Sequence, residues 1–207
     1  MNKQESGGSL RNQIQNLRTK LRSKDPSKIA EESGVTYFED KFQLTMLGRQ
    51  YTINLPDFNI CSSSAEPEAK TKLLLLNYLT RARNFESSGE WLGFQQIPDG
   101  GFYSSAFKDY TENRLTERFQ GRIEVFKKKS IHLNGTPIQL GDAGFSFQAF
   151  PKFKLALVFW DGGDEFPDKI TLLFEDSSIL FLSTEGLAIL GRMLSDKFLD
   201  EEIPKDL

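Results

Sequence analysis

"LALVFWDGGDEFPDKITLLFED", residues 155–176, decides the fold class. The runs 154–160 and 169–175 are apolar at successive positions, which is the pattern of strands covered on both faces. Between them Gly162, Gly163 and Pro167 supply turn formers, and Asp161, Asp164, Glu165 and Asp168 supply charge. Two such strands around a short polar connection read as a hairpin. Downstream, "ILFL" (179–182) reads as a third extended piece. Thr184 then caps a helix to about Phe198, with Leu187, Leu190, Leu194 and Phe198 on one face and Gly191 close enough to that face for tight packing.

Upstream the period changes several times. Ser9 can cap a basic helix to about Arg22, with Leu10, Ile14, Leu17 and Leu21 as its apolar stripe. Its cations, Arg11, Arg18, Lys20 and Arg22, read as a solvated face. Asp25-Pro26 starts a second helix that Gly34 closes. Phe42, Leu44 and Met46 alternate with polar residues, as do Tyr51, Ile53 and Leu55, which predicts two strands turning at Gly48. Residues 61–70 have loop composition, and Pro67 opens a wide apolar helix ending near Asn84, where Arg81 and Arg83 complement the dipole. "GEWLGF" predicts a short strand, and Pro98-Asp99-Gly100-Gly101 a turn. Tyr103, Phe107, Tyr110, Leu115 and Phe119 keep helical spacing up to Gly121. Residues 122–140 admit two readings: a helix ended by Gly135 in the left-handed region, or a hairpin turned at Asn134-Gly135. The helix is favoured, and Pro137 tolerates only an edge strand. Helices and strands do not alternate regularly, so the expected class is α+β, a mostly antiparallel sheet packed by helices. The expected organisation is an N-terminal helical arm over 1–34 and one domain over 35–207.

With 207 residues and 18 phenylalanines, the chain is long and apolar enough to bury a substantial core. A net charge of −3 gives the whole molecule no strong attraction to nucleic acid or acidic membranes. One cysteine, Cys61, excludes an internal disulfide, and one histidine, His132, excludes a histidine-cluster metal site. No apolar run approaches the roughly 20 residues that span a bilayer. The polar start MNKQESGGSL lacks the apolar core of a secretory signal, so the expectation is a cytoplasmic protein.

"LLNYLTRA" (75–82), "GEWLGFQQIPDGGFYSSAF" (89–107), Gly141-Asp142, "FWDGGDEFPDKITLLFEDSS" (159–178) and "FLSTEGLAILGRML" (181–194) carry a resemblance to an uncharacterised bacterial and archaeal family, a domain of unknown function. The family pattern has one residue between the tryptophan and Gly-Asp, whereas Asp161-Gly162-Gly163-Asp164 here is one longer. The resemblance implies a setting in anaerobic metabolism, because relatives occur with a corrinoid-type iron–sulfur segment. It therefore implies a protein partner in an iron–sulfur or corrinoid system. One cysteine cannot hold such a cluster, so the partner would bring it.

The acidic run is the candidate site. Its plainest reading is a polar connection, with Phe166-Pro167 pinning it to the core. As a site, Trp160, Asp161, Asp164 and Glu165 offer an aromatic face beside carboxylates for a ligand or partner, with no cofactor and no metal. The alternative is a divalent-metal-assisted enzyme using Asp161, Asp164 and Glu165, since a hard cation takes carboxylate oxygens. Counting from Asp161 does not give an EF-hand. No glycine pattern forms a phosphate loop, Ser104-Ser105 lacks a nucleophile elbow, and no catalytic residue is assigned. The leading expectation is a non-catalytic ligand- or protein-binding module.

Overall fold

The computed structural model describes residues 3–63, 65–85 and 87–200. The chain divides into two compact units. One is Met1–Glu86 with Phe150–Lys152 and Leu180–Ser183; the other is Ser87–Ala149 with Phe153–Ile179 and Thr184–Leu207. Residues 1–34 thus group with 35–86. Each unit pairs helices with an antiparallel sheet, and the fold is α+β.

The first unit holds α1 (Lys3–Arg22), α2 (Pro26–Ser33), strands β1 (Thr36–Phe38), β2 (Lys41–Met46), β3 (Arg49–Asn54) and β4 (Asn59–Ser62), and α3 (Ala69–Thr80). Its sheet runs in simple order, β1-β2-β3-β4. Along β2 every second residue is buried, Phe42, Leu44 and Met46, as the alternation requires. The turn into β3 is the two-residue loop Leu47-Gly48, with φ 47° and 76°. Two left-handed residues match the twist of the flanking strands, and glycine takes the second without strain. Strands β1 and β4 escape a reading by periodicity, because β4 has one fully inward residue, Ile60. Helix α1 buries Ile14 and Leu21 and packs on α3, while Arg11, Lys20 and Arg22 stay exposed; Arg18 departs from the expected solvated face, with its Nε buried. In α2, Asp25 accepts the Ser27 N–H at 3.0 Å and Gly34 closes the helix at φ 71°. Helix α3 stops at Thr80 rather than near Asn84, and Arg81 donates to the Leu180 carbonyl at 3.2 Å. Tyr78, fully buried on α3, stacks on Phe150 at 4.3 Å and donates its hydroxyl to the Ser33 carbonyl.

The second unit is built on a five-stranded sheet. It holds β5 (Trp91–Gly93), α4 (Gly100–Tyr110), α5 (Glu112–Phe119), α6 (Ile123–His132), β6 (Thr136–Ile138), β7 (Ala143–Phe150), β8 (Phe153–Trp160), β9 (Lys169–Glu175) and α8 (Thr184–Asp200). The strand order is β5-β9-β8-β7-β6. The two apolar runs are β8 and β9, paired antiparallel from Leu155↔Phe174 to Trp160↔Lys169. Strand β7 carries no prediction above, although Phe145, Phe147 and Ala149 alternate along it. Phe126 of α6 is fully buried against Phe119, Phe145, Phe159 and Phe198, with ring centroids 5.5–6.0 Å away. A fully buried phenylalanine contributes about 1.5–3 kcal/mol, so this aromatic cluster anchors helix to sheet.

Three expectations are corrected. The helix over 103–119 starts earlier, at Gly100, and breaks at Thr111, whose φ −127° and ψ −84° are not helical. There the buried Thr111 hydroxyl donates to the Phe107 carbonyl at 2.5 Å. Apolar spacing persists across the break, so periodicity cannot reveal it. Over 122–140 the favoured helix stands and the hairpin does not: α6 ends at His132, Asn134 rather than Gly135 takes the left-handed position, and Pro137 lies in β6, which pairs with β7 at the sheet edge and not with 131–133. "ILFL" is not extended, because Ser178–Phe181 is a short helix, α7. A four-residue apolar run carries no period that separates strand from helix.

Strand β5 covers only Leu173–Glu175 of β9. Helix α5 takes over along the rest of that edge. The Thr116 hydroxyl accepts the Ile170 N–H at 2.9 Å, and the Glu112 carboxyl accepts the Leu172 N–H at 3.1 Å. Side chains one helical turn apart thus stand in for a strand, satisfying buried N–H groups that would otherwise be orphaned.

Candidate functional site

The acidic run forms the β8–β9 connection, and backbone hydrogen bonds shape it. Asp161 accepts the Gly163 N–H at 2.9 Å and the Phe166 N–H reaches the Gly162 carbonyl at 3.1 Å. A Cβ on Gly162 would strike the Phe166 carbonyl, so only glycine fits. The clamp is Asp168, whose two oxygens accept Gly162 N–H at 3.1 Å and Gly121 N–H at 2.6 Å. Asp142 holds the Asp161 N–H at 2.8 Å. The expected anchor is therefore wrong: Phe166 is 71% exposed, and a buried carboxylate pins the loop instead. Asp161, Asp164 and Glu165 are exposed beside a half-exposed Trp160. Among the described residues no group of three or more His, Cys, Asp or Glu is arranged to hold a metal ion. Glu175 and Asp176 are committed elsewhere. Glu175 accepts the Lys154 N–H at 2.8 Å, and Asp176 accepts both the Ser87 and Ser88 hydroxyls at 2.7 Å. Burial works to raise the Asp176 pKa, but the bonds from Ser88, Ser87 and Ser177 outweigh it and hold the pKa below the ordinary aspartate range.

A concave site lies elsewhere in the second unit, between α4 and the start of α8. It encloses about 430 Å³ and is lined by Phe94, Tyr103, Ala106, Tyr110 and Ala188, with Asp99, Thr184 and Glu185 as its polar groups. Its rim is fixed by a tight local structure. Asp99 sits at φ 60°, and Gly100 follows where a Cβ would collide with the Phe94 carbonyl. The Thr184 hydroxyl donates to the Pro98 carbonyl at 2.6 Å, tying the first turn of α8 to this loop. Phe94 stacks on Phe107 at 4.0 Å, and Tyr110 meets Phe107 edge-on at 5.7 Å. Gly191 of α8 lets Phe107 lie close, since a Cβ there would stand 2.9 Å from its ring. Arg192 lies over the Tyr110 ring at 5.6 Å. Burial raises the Tyr110 phenol pKa, opposed by Arg192. Asp99 and Glu185 are exposed to the groove side and make no hydrogen bond or ion pair among the described residues.

The sequence profile of a family described as a domain of unknown function, DUF3786, matches residues 25–197. The chain belongs to that family. No curated protein and no solved structure matches it. The DUF3786 match begins at the cap of α2 and leaves α1 outside. In this DUF3786 chain the groove is lined, Tyr110 apart, from two of the segments that carry the family resemblance, 89–107 and 181–194. Sequence reading treats Pro98–Gly101 as a plain turn and so misses it. The usable signal is Asp-Gly-Gly directly ahead of the aromatic face of α4. Among the described residues no helix of the DUF3786 chain is long and apolar enough to cross a membrane.

Proposed function

We propose that this DUF3786 domain is a non-catalytic binding module whose groove between α4 and α8 takes a small organic amine. One observation carries the reading: two carboxylates, Asp99 and Glu185, without partners among the described residues, border a cavity of about 430 Å³ walled by Phe94, Tyr103 and Tyr110. Small-molecule sites are apolar clefts of roughly 300–1,000 Å³ with a few convergent polar groups. Aromatic faces and carboxylates both favour a cation over a neutral or anionic guest. The volume suits a small molecule. The lining offers no thiol, imidazole or amine, and Thr184 has its proton on Pro98. The hairpin residues Trp160, Asp161, Asp164 and Glu165 remain the place where a protein partner would meet an exposed aromatic and acids.

Calorimetric titration with phenethylamine tests the groove. Saturable binding is expected, with 2-phenylethanol, the neutral analogue, failing to bind. Asp99→Asn or Glu185→Gln should weaken the amine about tenfold or more, the cost of one charge-assisted bond. Asparagine tolerates the left-handed backbone at position 99, so that variant keeps the rim. Equal binding of amine and alcohol, or unchanged affinity in both variants, refutes the reading.

A further inference from the structure

We propose that the first unit carries an oxyanion site for the phosphoryl group of a small molecule, formed by α1, β4 and the start of α3. This site is independent of the groove in the second unit. A cavity of about 430 Å³ is lined by Arg18, Asn59, Cys61, Ser62, Glu66 and Lys72. The Arg18 Nε is buried and has no hydrogen-bond partner among the described residues. An unsatisfied buried guanidinium N–H is costly, and its planar fork matches phosphate oxygens. Lys72 brings a second cation whose side chain is 20% exposed. A third, Arg49, stands one bond behind the wall and donates to the Ser62 Oγ at 2.9 Å.

The carboxylate in the cavity is exchangeable. Glu66 meets Lys72 at 2.7 Å, but its side chain is 83% exposed. With its acid in water the pair is screened by solvent on that side. An arriving phosphoryl group can therefore take Lys72 while Glu66 returns to water, leaving Arg18 and Lys72 without an opposing charge. Ser62 contributes no donor, since its proton lies on the Ala65 carbonyl at 2.7 Å. Asn59 adds an amide at the wall.

Cys61 makes the test local. It is the chain's one cysteine, it is exposed, and it lines this cavity. Alkylation of the intact chain by iodoacetamide, read by mass, should slow saturably as inorganic phosphate or glycerol 3-phosphate is added. Sodium chloride at matched ionic strength should not slow it. Arg18→Gln and Lys72→Gln should each raise the half-saturating concentration about tenfold or more. They lie on different helices, so a folding defect in one leaves the other to report. Glu66→Gln should lower that concentration several-fold, because the competing charge is gone. Lys20→Gln, on the exposed face of α1, should change nothing. Protection by chloride alone, no protection by phosphate, or protection unaltered in both Arg18→Gln and Lys72→Gln overturns the proposal.

Discussion

Replacing Glu112 separates the two things its carboxyl does. It accepts the Leu172 N–H at 3.1 Å on a stretch of β9 that β5 does not reach, and it is 5% exposed. Glu112→Ala leaves that buried N–H without a partner, which costs about 1–3 kcal/mol. At about 2–4 °C per kcal/mol for a chain of this size, Tm should fall by roughly 2–12 °C. Glu112→Gln keeps an oxygen acceptor in place and loses the charge. Burial raises the Glu112 pKa above the ordinary glutamate range, with the Leu172 bond, Lys108 and Lys169 pulling the other way. A raised carboxyl pKa means that the folded state favours the protonated form. Its contribution is fully present below the unfolded pKa and is lost as pH rises through the folded one. The glutamine variant does not titrate. Its Tm relative to the parent should therefore climb with pH from the unfolded glutamate range upward and then level off. Each pKa unit of elevation corresponds to about 1.4 kcal/mol. Thermal unfolding of parent, alanine and glutamine chains across about pH 4 to about pH 8 reads both effects. A parent-to-glutamine difference flat with pH refutes the burial argument. An alanine variant as stable as glutamine refutes the claim that α5 finishes the sheet edge.

Other outcomes follow from the same kind of accounting. Tyr78→Phe keeps the stack on Phe150 but orphans the buried Ser33 carbonyl, and should cost about 1–3 kcal/mol by denaturant unfolding. Gly191→Ala pushes a methyl towards a Phe107 ring already stacked on Phe94, and should cost about 1–3 kcal/mol in the same assay. Asp176 has a depressed pKa, so its contribution is present above its unfolded pKa and is lost as pH falls through the folded one; Asp176→Asn should flatten the acid limb of the Tm profile.

The strongest elements were legible because their periods are long. Strands β2, β3, β8 and β9 and helices α3 and α8 each present several residues of one pattern. The missed pieces are short or depend on distant partners. Strand β4 shows one buried residue, and Thr111 breaks a helix without interrupting its apolar spacing. Acidic residues were legible as a cluster but not as workers. Asp168, Asp142, Glu175 and Asp176 each accept a backbone N–H group from a partner more than ten positions away in sequence, while Asp161, Asp164 and Glu165 face solvent. Nothing in a linear string distinguishes those two fates. The groove was illegible for the same reason, since only the fold brings Asp99 and Glu185 to line one cavity.

Pro137 sits on the outermost strand of the five-stranded sheet, opposite Phe145. With no amide hydrogen and a strand of three residues, β6 offers a neighbouring molecule almost nothing to zip onto. At the opposite margin β5 is equally short, and past its end Glu112 and Thr116 occupy the open valences of β9. Margins this short leave the five-stranded sheet little length along which further copies could zip into fibrils.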